Sequence, residues 1–486
     1  MFGTKTNFAL IIHYISLVLA IEGLFILSTA AIALIYREHA LNGIVGAAGI
    51  TFLTGMFLNL ITRKWRYTEP GQRESLLIVF ISWIFLGIMG ATPYLFTRSI
   101  PHVADAVFES VSGFTTTGSS ILKDIEIMPR SILFWRSLTH WIGGIGIIVM
   151  VLAIMPFMNI RGNMLFGSEA SVVVEDSVTT KVRYVARNFG IIYAGLTLAE
   201  ILSLILAGMP VFDSICHSFG TIATGGFGTK NNSIAGYSPA IHYIITIFMI
   251  LSGMNFTLHF FALKGKFSKI WENEEMKYYL GTIVGVTLIL TGILWLKMNY
   301  SPEWAFRSSL FQVASIITAT GFATDDYLLW PSYANMFIAM LMLIGASAGS
   351  TGGGVKVIRH VIVVKKIKHH FRSLIHPSAF LSIHYGKKPL APDQVSGIIG
   401  FVILYYLIVL FGTLVLMALG YDFGTSFGSI ATTMDGCGPG FGTVGPVNNF
   451  AHLSDTAKYI LSVSMITGRL EIYPVLILFT HWFWRT

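Results

Sequence analysis

The sequence predicts an all-α integral membrane protein: two N-terminal transmembrane helices followed by four pseudo-symmetric units around a central axis. Each unit is a helix, a short half-helix with a glycine loop, and a second helix. Three observations predict this. Of the 486 residues 54% are apolar and 12% charged, with a mean hydropathy of +0.70, whereas a soluble domain carries about 25% charged residues. Ten apolar runs approach or exceed the roughly 17–25 residues that span a bilayer. Four shorter apolar segments lie between them, each ending at glycine.

The ten runs are 8–35, 42–62, 76–96, 131–157, 188–208, 240–263, 279–297, 333–363, 396–419 and 457–484. The first is longer than the roughly 7–15 apolar residues of a signal peptide's core and reads as a transmembrane helix. Lys and Arg set the orientation. With the N-terminus inside, the inward loops hold four in 63–73, four in 158–187, four in 264–277 and eight in 356–388. With Lys5 and Arg485 these make 22 of the 32, the asymmetry of the positive-inside rule. The net charge of +8 is therefore an orientation signal and not a nucleic-acid surface. Two cysteines, Cys216 and Cys437, build neither a disulfide framework nor a zinc site of the usual kind.

The short segments, near 103–114, 211–223, 304–319 and 422–433, do not cross a bilayer as helices. Such segments re-enter, and must be shielded from lipid or line a watery cavity. All four fall on the outer side and end in glycine loops: TTTGSS at 115–120, IATGGFG at 222–228, TATGFAT at 318–324 and DGCGPGFG at 435–442. With Gly118, Gly225, Gly321 and Gly438 taken as equivalent, the intervals are 107, 96 and 117 residues, the mark of a repeat. Three half-helices begin beside a proline (Pro101, Pro210 and Pro302), where a helix can lose an N–H without cost. Asp422 suits the N-cap of the fourth.

The chemistry follows from the repeated unit. A cation leaving water needs its hydration oxygens replaced, and main-chain carbonyls do so without a full negative charge. Aiming successive carbonyls at one line requires backbone shapes that glycine permits. A half-helix ending just before the loop points its negative dipole end at the ion. Thr117, Thr224 and Thr320 precede the glycine in three loops, like the Thr-x-Gly core of potassium filters.

These residues resemble the Trk/Ktr/HKT superfamily of potassium-uptake membrane subunits, in particular its bacterial TrkH/TrkG branch. The likeness runs along nearly the whole chain, through FESVSGFTTTG, FDSICHSFGTIATGGFGT, GASAGSTGGGVKVIR and GRLEIYPVLILFTHWFWR. It implies two extra helices over 1–72 and pore repeats over 73–165, 166–270, 271–375 and 376–486. It also implies a homodimer in the bacterial inner membrane, with both termini cytoplasmic, and a cytoplasmic nucleotide-binding regulatory ring of the TrkA type. K+ would be both bound and carried, with no organic cofactor on this chain. Carried over residue by residue, the ion-binding carbonyls would be those of Thr116, Thr117 and Gly118, then Ala223, Thr224 and Gly225. Ala319, Thr320 and Gly321 would serve the third repeat, and Gly436, Cys437 and Gly438 the fourth, which departs from the threonine pattern. Serine at the first glycine goes with sodium transport in the plant branch, so Gly118 favours potassium.

GASAGSTGGG, Gly345 to Gly354, interrupts the second helix of repeat three with five glycines in ten positions, each costing roughly 1 kcal/mol in a helix interior. Its spacing is not that of a phosphate loop, because Lys356 does not directly follow Gly354 and no Ser or Thr comes after it. Close helix packing is one explanation. A flexible gate under the loops, formed by Gly345, Ala346, Gly349, Ser350, Thr351, Gly352, Gly353 and Gly354, is the preferred one, and the resemblance implies it too. Arg469 lies deep in the last run, where a charge costs about 2.5–3.5 kcal/mol or more. It either pairs with Glu200 or Glu22, or stands below the filter as a barrier. Asp105, Glu109 and Asp213 either draw cations to the mouth or complement helix N-termini. The inward segments 158–187 and 356–395 are the natural docking surface for a partner. A Na+- or H+-coupled secondary cation symporter is the alternative reading, though four units of one orientation do not give the inverted repeats of that class. No spacing of Ser, His, Asp or metal ligands suggests an enzyme.

Overall fold

The computed structural model describes residues 6–66, 68–154, 178–377, 382–386 and 388–485. The expected docking segment 158–187 therefore lies outside the described residues as far as residue 177. The described chain is almost entirely helical, with one two-residue strand pair, His384–Tyr385 and Lys388–Pro389.

Among the described residues, six helices are continuous and apolar enough to cross a bilayer: Phe8–Ile35, Leu41–Trp65, Gln72–Phe96, Val185–Leu206, Glu274–Met298 and Pro392–Ala418. Leu53, Phe57, Leu206, Leu296 and Phe411 on these helices are exposed. An apolar exterior of this kind is satisfied by lipid. The first two helices pack closely through glycine: a Cβ on Gly23 would lie 2.7 Å from the Phe52 amide nitrogen, and one on Gly55 2.6 Å from that of Ala20.

Three of the expected spans are broken, and each break falls in the helix that follows a glycine loop. Residues 240–263 form Pro239–Ser252 and Phe256–Leu263, bent by 101°. Residues 333–363 form Ser332–Met342 and then leave the helix until Val357–Ile375. The last run divides into Asp455–Arg469, Ile472–Ile477 and His481–Trp484. Hydropathy measures apolarity and is blind to backbone, which is why runs that look continuous are not. The causes are local: Gly253 and the Asn255 N-cap, the glycines of 345–354, and the left-handed Glu471 at φ 62°. The expected span at 131–157 is the helix Arg130–Ile154, continuous to the edge of the described residues.

The four short helices are Val103–Phe114, Val211–Ile222, Pro302–Ile317 and Phe423–Asp435. They make the centre of the protein, and their residues are largely buried, serines and threonines included. The starts follow the sequence signals. Ser301 caps Trp304, with Pro302 in the first turn, and the Asp422 carboxylate accepts from the Thr425 amide at 2.9 Å.

Candidate ion-conduction site

Each short helix ends in the same backbone turn. The amides of Thr117, Gly225, Thr320 and Cys437 donate to carbonyls five residues earlier, at 2.9, 2.8, 2.8 and 3.0 Å. The residue before each is left-handed: Thr116 (φ 53°), Thr224 (φ 55°), Ala319 (φ 58°) and Gly436 (φ 82°). The residue after each is a left-handed glycine: Gly118, Gly226, Gly321 and Gly438.

These glycines interlock in a closed cycle. A Cβ on Gly118 would lie 2.1 Å from the Gly225 carbonyl oxygen, one on Gly226 2.0 Å from that of Thr320, and one on Gly321 1.9 Å from that of Cys437. The cycle closes where a Cβ on Gly438 would lie 3.1 Å from the Thr117 carbonyl oxygen. The four loops thus stand around one line, each glycine against its neighbour's carbonyl. A cavity of about 150 Å³ opens beyond them, lined by all four glycines together with Ser119 and Asn231.

The second loop corrects the sequence alignment. Gly226, not Gly225, matches Gly118, Gly321 and Gly438, so the second set is Thr224, Gly225 and Gly226 rather than Ala223, Thr224 and Gly225. Ala223 instead ends its helix, matching Thr115 and Thr318. The physical reason is His140. A Cβ on Gly225 would lie 2.4 Å from its Nδ1, and the imidazole, stacked on Phe227 at 4.2 Å, fills the space that side chains occupy behind the other loops. There the Thr117 and Thr320 hydroxyls close on those of Thr115 (2.8 Å) and Thr318 (2.7 Å), and the Cys437 thiol faces the Ile316 carbonyl.

Side chains from the middle of the short helices brace the limbs leaving the loops. Glu109 accepts from the Ile121 amide (2.9 Å), the Ser120 hydroxyl (2.9 Å) and the Arg136 guanidinium (2.8 Å). At the matching positions His217 contacts the Thr229 hydroxyl (3.3 Å) and Gln312 donates to the Asp325 carbonyl (2.9 Å). Glu109 is wholly buried and belongs to this bracing, not to the mouth. Asp105 pairs with Lys458 at 2.5 Å, and Asp213 accepts from Thr229 (2.8 Å) and Tyr237 (3.1 Å).

The segment from Gly345 to Gly354 is non-helical and lies directly against the ends of the short helices, where the loops begin. Gly345, Gly349 and Gly354 are left-handed. A Cβ on Gly352 would lie 2.7 Å from the Thr318 carbonyl oxygen, and one on Gly353 1.8 Å from that of Asp435. The Thr351 hydroxyl donates to the Ile222 carbonyl (3.1 Å), the end of the second short helix. The segment is anchored at Ala346 by the Val357 amide (3.1 Å), at Ala348 by Glu275 (2.7 Å) and at Ser350 by a hydroxyl bond to the Ser347 carbonyl (2.6 Å). Lys356 donates from Nζ to the Gly352 and Gly353 carbonyls. Arg469 makes no ion pair among the described residues. Its guanidinium donates to the carbonyls of Thr351 (2.7 Å) and Gly143 (3.1 Å), so the expected pairing with Glu200 or Glu22 does not occur.

An apolar exterior around four converging loops, with a glycine-rich segment packed against their helix ends, defines a membrane protein of the cation-transport class. The chain belongs to the TrkH family of cation transport proteins, whose family model matches residues 44–484. It is 38% identical to the Trk system potassium uptake protein TrkH of Salmonella typhimurium, over 96% of this chain and 97% of that one. It is 34% identical to the Trk system potassium uptake protein TrkG of Escherichia coli, over 98% of each. The crystal structure of the potassium transporter TrkH from Vibrio parahaemolyticus matches with a TM-score of 0.90 at 36% identity, covering 99% of this chain and 100% of that one. These relatives are named as transporters, not enzymes. The superfamily read from the sequence motifs is the one found.

Several residues of this site escaped sequence reasoning. Gly226 was signalled only by the doublet Gly225–Gly226. His140, Glu275, Lys356 and Asp435 carry no local signal, because their partners lie in distant segments.

Proposed function

We propose that this protein takes up K+ across the bacterial inner membrane through a channel-like pore. The observation that carries the reading is the closed cycle of Gly118, Gly226, Gly321 and Gly438 against the carbonyls of Gly225, Thr320, Cys437 and Thr117. Main-chain oxygens of Thr116–Gly118, Thr224–Gly226, Ala319–Gly321 and Gly436–Gly438 replace the ion's water shell without a full charge. The ends of the four short helices add their negative dipoles. The names of the relatives supply the ion.

Residues 345–354 act as the gate. Seated, they cover the inner carbonyls of Thr318 and Asp435, and Arg469 holds them there with a positive charge beneath the loops. The division into 1–72, 73–165, 166–270, 271–375 and 376–486 describes the two leading helices and four pore units. The concentration of Lys and Arg in alternate loops supports cytoplasmic termini. The relatives' membership of a Trk system supports assembly with other components, here a second copy and a cytoplasmic nucleotide-binding ring of the TrkA type. That ring would dock on the inward segments at 158–187 and 356–395.

Rubidium-tracer uptake into liposomes of the purified protein tests the reading. Passive flux blocked by K+ and Rb+ far better than by Na+ is expected. Flux that requires an imposed H+ or Na+ gradient would instead establish the coupled symporter.

A further inference from the structure

Asp435 stands out among the buried groups around the loops. It takes the position held by Thr115, Ala223 and Thr318 in the other three units and is wholly buried. Neither carboxylate oxygen has a hydrogen-bond partner among the described residues. The Thr115 and Thr318 hydroxyls donate to the Val111 and Ala314 carbonyls and also meet the hydroxyls of Thr117 and Thr320, whereas a carboxylate cannot donate to its own helix and Cys437 has no hydroxyl to offer. Asp435 is also the last residue of the helix Phe423–Asp435, where the dipole is negative. A carboxylate placed there, out of water, is unfavourable on both counts unless a positive charge accompanies it.

The groups facing it identify that charge. Gly354 presents only its Cα, since a Cβ there would lie 2.1 Å from Asp435 Oδ1, and Gly353 covers the Asp435 carbonyl. The buried Tyr405 and Cys437 have no positive charge to supply. The cation carried on the segment packed against it is Lys356, two residues beyond Gly354, in a neighbourhood that also holds Glu471, Arg359 and Arg469. Yet the Lys356 ammonium donates to the Gly352 and Gly353 carbonyls, not to the carboxylate. Among the described residues Asp435 therefore has no partner in contact, while a cation sits on the glycine-rich segment packed against it.

Resting on the pore reading above, we propose that Asp435 is an inner cation site, neutralised by Lys356 while the glycine-rich segment is seated and by a dehydrated monovalent cation when it withdraws. Withdrawal uncovers the carbonyls of Thr318 and Asp435 beside the carboxylate, giving several neutral oxygens and one full charge. That set suits an alkali cation. A divalent ion of the calcium class takes six to eight oxygens, usually from several carboxylates.

The test is a double-mutant cycle on the full-length protein in liposomes, reading the K+ concentration that half-saturates tracer flux. Asp435→Asn should raise it by roughly tenfold, as expected when a full charge beside a desolvated ion is removed. Lys356→Gln should lower it in the parent and leave it unchanged in the Asp435→Asn background. An unmoved half-saturation in Asp435→Asn, or a Lys356→Gln effect undiminished in that background, overturns the proposal. Should Asp435→Asn fail to fold, Asp435→Glu keeps the charge but displaces it. A shifted half-saturation is then expected, and an unshifted one overturns the proposal. Absence of K+-selective flux in the parent would defeat the pore reading itself, whereas normal parental flux with an insensitive Asp435→Asn defeats this inference alone.

Discussion

The Arg469 guanidinium donates to the main-chain carbonyl of Thr351 at 2.7 Å, tying the last membrane helix to the glycine-rich segment. Thr351 in turn donates its hydroxyl to the end of the second short helix. The positive charge is thus held under the loops by neutral carbonyls, which restrain it without cancelling it. If Arg469 is the barrier proposed above, Arg469→Ala removes it together with the tie, and cation flux through the reconstituted protein should rise severalfold. A fall in flux with unchanged folding would assign Arg469 a purely structural role.

Gly353 has no room for a side chain, since a Cβ would lie 1.8 Å from the Asp435 carbonyl oxygen. Gly353→Ala must push the segment off the loops. Single-channel recording should find a raised open probability with unchanged ion preference. Equal open probability in a folded variant contradicts the gate.

The buried pair Glu109–Arg136, at 2.8 Å, also holds Ser120 and the Ile121 amide. Glu109→Gln leaves the guanidinium without its counter-charge in the interior, at a cost of about 3–5 kcal/mol. The thermal unfolding midpoint in detergent should fall clearly, and K+ preference should weaken as the first loop loosens.

Asp422 caps the fourth short helix, and hydrogen bonds from the Thr425 hydroxyl and amide hold its carboxyl below the usual range. The sign follows. A lowered carboxyl contributes stability that is present above its unfolded value and lost as pH falls through its folded one. Asp422→Ala should cost about 0.5–2 kcal/mol at neutral pH. The difference from the parent, measured by thermal unfolding, should shrink once acid protonates the cap.

Much of this was legible in the chain because its signals are local. Proline or Asp422 at the starts of the short helices, glycine at their ends and apolar runs between them gave the units. What was not legible depends on contacts between distant segments. Thr224 precedes a glycine just as Thr117 and Thr320 do, so a Thr-Gly pairing aligned Gly225 with Gly118. Only the ring of His140, supplied by the helix Arg130–Ile154, shows why glycine is required at 225 and why Gly226 closes the cycle. The breaks at Gly253 and Glu471 were hidden for a related reason: the flanking residues are apolar, and a bend leaves no trace in hydropathy. Arg469 announced itself as a buried charge, but its partners are carbonyls, which no sequence pattern distinguishes.

The central claim is that main-chain oxygens of the four loops hold a dehydrated K+ on one line, and anomalous diffraction from crystals grown in Rb+ tests it most directly. Density is expected on the axis enclosed by Thr117, Gly225, Thr320 and Cys437, and it should weaken in Gly226→Ser. Rubidium peaks confined to other parts of the molecule, with that axis bare, would contradict the account.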